Sequence, residues 1–209
     1  TVLLSTDGLS LEQRMCLPLL CDLLLSMDVE SDDGSCIPYA EMSRLIDEAT
    51  VSTDASGPLM YQPSAMQIDC FGIHFAATEE NFGRAADLIL RALFNSKITG
   101  DRLSSAAKNA DADSTESLRD GSSVLHAAVQ VLPTIFGNNG ESSLSNEVIV
   151  SLFGRRKFVT FIADEYSRES PRHRTRRKIL QLFSSSLRSI RAQPADKIFV
   201  QVAARDPGK

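Results

Sequence analysis

Met66-Gln67-Ile68-Asp69-Cys70-Phe71-Gly72-Ile73-His74-Phe75 is the stretch on which the fold turns. β-Branched and aromatic residues dominate it, which predicts the strongest strand in the chain. Its alternation changes face near Phe71-Gly72, which implies a bulge or burial on both sides. Just upstream, Val51, Thr53 and Ala55 alternate with polar residues until Gly57-Pro58 ends the run, so they supply a neighbouring strand. Val2-Leu3-Leu4-Ser5-Thr6 reads as the end of a strand whose start is expected upstream. The closing run Ile198, Val200, Val202 and Ala204 alternates and reads as a last strand.

Helical periodicity fills the intervals. After Asp7-Gly8, Ser10 and Gln13 form a capping box, followed by Leu11, Met15, Leu19, Leu20, Leu23, Leu24 and Met27 at helical spacing. Pro18 within that run implies a kink or a late true start. Glu30 to Ser35 reads as a polar loop. Pro38 at a first helical position opens a helix with Met42, Leu45, Ile46 and Ala49 on one stripe. Thr78 is expected to cap the next, with Glu79 and Glu80 in its first turn and Phe82, Ala86, Ile89 and Leu93 buried. Leu103, Ala106, Ala107 and Ala110 make a thin stripe. Val124, Leu125, Ala128 and Leu132 make another, ended by Pro133; Gly137-Asn138-Asn139-Gly140 is a loop. Ser143 to Phe153 is helical, while propensity favours strand for Lys157 to Ala163. Ile179, Phe183, Ser186, Leu187 and Ile190 mark a final helix.

This order of elements is not the strict alternation of a parallel doubly wound sheet. It predicts an α+β fold: a two-layer sandwich, a mostly antiparallel sheet with helices packed on one face. The 209 residues suffice for one hydrophobic core, so 1–209 is read as a single domain. An apolar fraction of 43% excludes wholesale disorder, and no apolar run reaches the ~18 residues of a membrane span. The opening residues carry no basic start and no small-residue cleavage site, so no signal peptide is expected. With no Trp and 6% aromatic residues, a stacking platform for single-stranded nucleic acid is not expected.

The catalytic signatures fail in turn. There is no phosphate-cradling glycine loop and no nucleophile elbow. Cys16, Cys21, Cys36 and Cys70 match no metal or redox spacing and read as reduced, half-buried thiols. None of His74, His126 and His173 lies within a helical turn of another, so no local pair can hold zinc and only a site assembled by the fold stays open. They read as a hydrogen-bonded strand residue, a helix boundary residue and a solvated residue. Asp32-Asp33 and Asp111/Asp113 read as loop or surface charge, lacking apolar flanks that would raise a pKa.

Charge is uneven: residues 1–100 hold 5 basic and 15 acidic side chains, residues 101–209 hold 17 and 12. The sharpest local feature is the basic run Arg168, Arg172, His173, Arg174, Arg176, Arg177 and Lys178. It suits a phosphate or acidic partner, or a solvated helix start partly paired with Asp164, Glu165 and Glu169. So many cations oppose a helix N-terminal dipole, and regular helix throughout is not expected there.

Several segments together resemble one family pattern: Leu17-Pro18-Leu19-Leu20-Cys21-Asp22-Leu23-Leu24-Leu25 after the first strand, Ile37-Pro38-Tyr39-Ala40-Glu41, and Ala49-Thr50-Val51-Ser52-Thr53. Thr78-Glu79-Glu80-Asn81-Phe82, Asp101-Arg102-Leu103-Ser104-Ser105-Ala106-Ala107 and Leu118-Arg119-Asp120-Gly121-Ser122-Ser123-Val124 follow in order. From Thr1 to about Asp206 the chain resembles a domain of the insulinase/pitrilysin family of zinc metallopeptidases, in its presequence-protease-like branch. The resemblance implies four related α+β domains enclosing a peptide chamber, with zinc in the first domain on an inverted His-x-x-Glu-His motif. In this chain Pro18 and Asp22 stand where the histidines would be and Cys21 where the general base would be. The resemblance therefore implies a non-catalytic domain of the third type, with no catalytic, cofactor or metal residue of its own. It also implies helix rather than strand at Lys157 to Ala163.

The expected function is a chamber-wall domain excised from a longer zinc metalloendopeptidase, inactive alone. Zinc is expected only in the parent chain. Its partners would be sister domains and an enclosed peptide, without membrane or nucleic acid, in an intracellular, cytoplasmic rather than mitochondrial, setting. Two alternatives stand beside it: a non-enzymatic core or assembly subunit domain of the same fold, and an independent anion- or nucleic-acid-binding module using residues 168–178.

Overall fold

Val2–Ser5 (β1) opens the chain and becomes the centre of the larger sheet. A capping box then starts a single helical turn, Leu11–Arg14 (α1): Gln13 N–H donates to the Ser10 hydroxyl at 3.3 Å, and Ser10 N–H donates to Gln13 Oε1 at 3.0 Å. The helix breaks at Met15-Cys16 and restarts as Leu17–Leu24 (α2), with Pro18 in its first turn where a missing N–H costs nothing. The late start is thus the outcome. It leaves Leu11 exposed and Met15 half-buried, off the expected stripe. Leu17, Leu19, Leu20, Leu23 and Leu24 are buried. Each such leucine contributes about 1.5–3 kcal/mol, which outweighs the absent side-chain cap of α2.

The structure, a computed structural model, describes residues 1–31, 34–56, 70–125, 127–129, 152–168 and 173–203. Asp28–Glu30 (β2), Cys36–Ile37 (β3), the helix Tyr39–Ala49 (α3), Ser52–Ser56 (β4) and Cys70–Ala76 (β5) follow. Pro38 caps α3 rather than occupying its first turn, and Met42, Ile46 and Ala49 are buried as expected. Then come Phe82–Asn95 (α4), Ser96–Lys97 (β6), Gly100–Ser117 (α5), Leu152–Ser167 (α6), His173–Arg191 (α7), a 3-10 turn and Ile198–Val200 (β7). Residues 121–125 and 127–129 are also helical; Val124 and Ala128 are half-buried, Ala127 is buried and Leu125 is exposed.

The fold is α+β with two antiparallel sheets, ordered β4-β5-β1-β7 and β3-β2-β6. In the larger sheet Leu4 pairs with Phe71 and Ile198, and Val2 pairs with Ile73 and Val200. Paired residues share a face, so Leu4, Phe71 and Ile73 point together into the core, where all three are fully buried. Strand β5 runs in unbroken register against both neighbours, so burial on both sides, not a bulge, explains the change of face at Phe71-Gly72. Residues 66–69 and Gly57-Pro58 lie outside the described residues.

Several expectations are corrected. Thr78 does not cap α4; residues 78–81 form a turn in which Asn81 N–H bonds the Thr78 carbonyl at 3.1 Å, and Asn81 becomes the N-cap. The later start shifts the buried stripe to Ala85, Leu88, Ile89, Ala92 and Leu93, leaving Phe82 exposed against Phe75, their ring centroids 5.8 Å apart. The closing strand stops at Val200, and residues 201–203 carry no strand. Part of the expected polar loop Glu30 to Ser35 is strand, since Glu30 ends β2 and pairs with Cys36.

Lys157 to Ala163 is helix, as the resemblance implies and against local propensity. Val159, Ile162 and Ala163 fall at helical spacing and are buried, Phe158 stacks on Phe183 at 6.2 Å, and Thr160 donates a 2.5 Å hydrogen bond to Asp111 on α5. In α7, Ile179, Phe183, Ser186, Leu187 and Ile190 are the buried residues, as read from the sequence. Of Ser143 to Phe153 only residues 152 and 153 are described, and both are helical.

Within the basic run, regular helix begins at His173 and continues through Lys178, while Arg168 lies past the end of α6 and is not helical, so the run is not regular helix throughout, as expected. Arg176 folds back to donate to the Glu165 carbonyl from Nε at 3.1 Å and from Nη2 at 2.8 Å, and to the Arg168 carbonyl at 3.2 Å. One of the opposing cations thereby becomes the C-terminal cap of α6, a favourable place for positive charge. Arg172 lies outside the described residues.

Candidate functional site

α2 carries the positions that matter for the resemblance. Its leucines turn inward, so Pro18, Cys21, Asp22 and Leu25, at i, i+3, i+4 and i+7, share the opposite side. Pro18, Cys21 and Leu25 are half-buried and Asp22 is exposed. α2 lies against α5, β4 and β5, and α5 lies along α6. Packing of these elements brings Asp22, Asp113 and Arg155 within electrostatic reach of one another.

The electrostatics decide what this face can do. Crowding by protein raises the Asp22 carboxyl above its ordinary value of 3.8; Asp113 adds to the rise and Arg155 opposes it. Burial, then the charges of Asp22 and Asp54, push the Cys21 thiol above its ordinary range, so it stays protonated at neutral pH. A protonated thiol is neither a nucleophile nor a metal ligand of consequence. The Arg155 Nε is buried without a hydrogen-bond acceptor among the described residues. The arrangement sets two carboxylates and a guanidinium near one another between helices, beside a protonated thiol. Among the described residues no group of three or more His, Cys, Asp or Glu side chains is placed to hold a metal ion.

Other sequence candidates disperse. His74, on β5, is half-buried, and its Nδ1 lies 2.8 Å from the Thr1 hydroxyl. Desolvation and the Thr1 ammonium hold its pKa below 6.5, with Asp54, its cross-strand partner, pulling the other way. His173 is exposed, and His126 lies outside the described residues. Asp111 accepts from Thr160 and ties α5 to α6, whereas Asp113 is exposed; Asp32-Asp33 lie outside the described residues. Cys16 is buried, and burial pushes its thiol up to about 12; Cys36 is exposed.

One further group had no signal in the sequence, and one expected partner of the basic run turns out to be buried. Arg191 donates to the Leu93 carbonyl at 2.7 Å, the Ser96 carbonyl at 2.9 Å and the Ser96 hydroxyl at 2.6 Å, closing the C-terminus of α4 onto β6. Glu165 is buried, with Arg168 3.6 Å from one carboxylate oxygen and no donor at the other. Only tertiary packing reveals the Arg191 clasp, whereas Glu165 is a partner the sequence already offers the basic run. Open recesses are lined by Ala112, Thr115, Glu116, Arg119 and Asp120, and by Glu30, Ser31, Phe94, Ser96, Lys97 and Arg191, with no histidine or cysteine among the described lining residues. No helix among the described residues is long and apolar enough to cross a membrane. No protein-family model, curated protein or solved structure matches this chain.

Proposed function

We propose that this chain is a non-catalytic chamber-wall domain of an insulinase-like zinc metalloendopeptidase, in which a two-layer sandwich completes an enclosure around peptide. The observation that carries the reading is the state of α2. The positions matching the inverted zinc motif hold Pro18, a protonated Cys21 and Asp22, set among Asp113 and Arg155. A buried guanidinium nitrogen beside this face is a poor neighbour for a dication. The antiparallel order β4-β5-β1-β7, with the short α1 and then α2 following strand β1, is compatible with the same reading. Hydrolysis, zinc-activated water attacking a peptide carbonyl, would belong to another domain.

Grafting the motif tests the resemblance. Histidines at i and i+4 share one helix face, so P18H/D22H, joined by C21E and R155A, is expected to gain one zinc per chain that the wild type lacks. A graft that folds yet binds no more zinc than wild type would remove the support that α2 gives.

A further inference from the structure

Helix α7 contains no carboxylate in nineteen residues, yet carries Arg174, Arg176, Arg177, Lys178, Arg188 and Arg191. Two of these six serve the fold: Arg176 caps α6 and Arg191 clasps α4 to β6. The other four have no such use. Arg174, Arg177, Lys178 and Arg188 are exposed, and among the described residues none makes an ion pair.

Their placement is regular. The exposed residues of α7 are His173, Arg174, Arg177, Lys178, Gln181, Ser185 and Arg188, a stripe opposite the buried Ile179, Phe183, Leu187 and Ile190. At 1.5 Å rise per residue the four cations span about 21 Å of helix. The stripe begins where the helix dipole is positive and no acid occupies the first turn. Local stability would favour Asp or Glu there, so the sequence keeps cations against its own folding interest.

We infer that the outer stripe of α7 docks an acidic protein surface, one presenting carboxylates along a helix-length path. Three observations select protein over other polyanions. The stripe has no Phe, Tyr or Trp ring to serve as a stacking platform for bases. The inward side of α7 is committed to the core, leaving no apolar face to enter a bilayer. The first hundred residues carry 15 acidic against 5 basic side chains, which repels a long uniform polyanion beyond the stripe. The inference goes beyond the peptidase reading and stands without it.

The test measures fluorescence anisotropy of labelled decaglutamate on the 209-residue protein at low ionic strength. Salt-sensitive binding is expected, weakened at least about tenfold in R174E/R177E/K178E and by less in R174Q/R177Q/K178Q. The control K108E/R119E, which reverses two exposed cations off the stripe, is expected to stay within about twofold. The melting temperature of R174E/R177E/K178E is expected to equal or exceed wild type, which separates lost binding from lost folding. No binding, equal loss in the control, or tighter binding of a ten-nucleotide RNA or of phosphatidylserine vesicles than of decaglutamate would overturn the inference.

Discussion

Arg191 holds Ser96 by two hydrogen bonds at once, Nη1 to the carbonyl at 2.9 Å and Nη2 to the hydroxyl at 2.6 Å. The same guanidinium reaches the Leu93 carbonyl. Burial draws its pKa down to about 10, which still leaves it ionised at neutral pH. Arg191→Ala removes three charge-assisted bonds and strands carbonyls at the end of α4, so it is expected to cost about 3 kcal/mol. Arg191→Lys, a single point donor, is expected to cost less than Ala but not to be neutral. Urea denaturation of both variants checks the order; equal stability of Ala and wild type would refute the clasp.

Gly72 sits beneath Leu3 in the larger sheet, paired with it in register. A Cβ at Gly72 would stand 2.2 Å from the Val2 carbonyl oxygen and 2.6 Å from the Leu3 side chain. Because the nearest obstacle is backbone, Gly72→Ala is expected to cost about 3 kcal/mol, the upper end for overpacking. Adding Leu3→Ala is expected not to restore the loss. Rescue by that second change would show the side chain, not the strand backbone, to be the obstacle.

Parts of this architecture are legible in the chain and parts are not, for physical reasons. The α7 stripe, Ser186 included, follows from a long and clean period of 3.6. Strands β1, β4 and β5 announce themselves through alternation or β-branched content. The smaller sheet is invisible because its strands have two or three residues, too few to show any period. Lys157 to Ala163 misleads by propensity: Val159 and Ile162 favour strands, but burial against neighbouring helices and the Thr160–Asp111 bond override that preference. At α2 the residues Cys21 and Asp22 can be singled out only through the resemblance. Their companions Asp113 and Arg155, some 90 and 130 positions away, are brought near by packing alone.

His74 titrates below 6.5 in the folded chain, since burial and the Thr1 ammonium disfavour its charged form. The unfolded chain therefore binds more protons as pH falls through 6.5, and folding stability falls with it. The contribution is fully present above 6.5 and is lost toward the lowered folded value. Imidazole proton shifts are expected to place the His74 titration below 6.5, and His74→Gln to flatten the stability profile in that window. A His74 titration at or above 6.5 would contradict the assignment.

Thiol reactivity follows burial. Cys36 is exposed, while Cys16 is fully buried, with its thiol pushed up to about 12 and donating to the Glu12 carbonyl at 3.6 Å. Iodoacetamide at neutral pH is expected to label Cys36 in the native protein and Cys16 only after denaturation, as peptide mapping would show. Comparable native labelling of both would contradict the packing around α2.

The central claim is that this chain holds peptide space without performing hydrolysis. Its most direct test is to load the purified protein with zinc, dialyse it, and measure metal content and cleavage of a quenched fluorogenic peptide together. The account predicts less than a tenth of an equivalent of zinc (roughly, at the Kd expected of a site lacking three protein ligands) and no chelator-sensitive cleavage. One retained zinc per chain, with cleavage abolished by chelation and by Asp22→Ala, would contradict it.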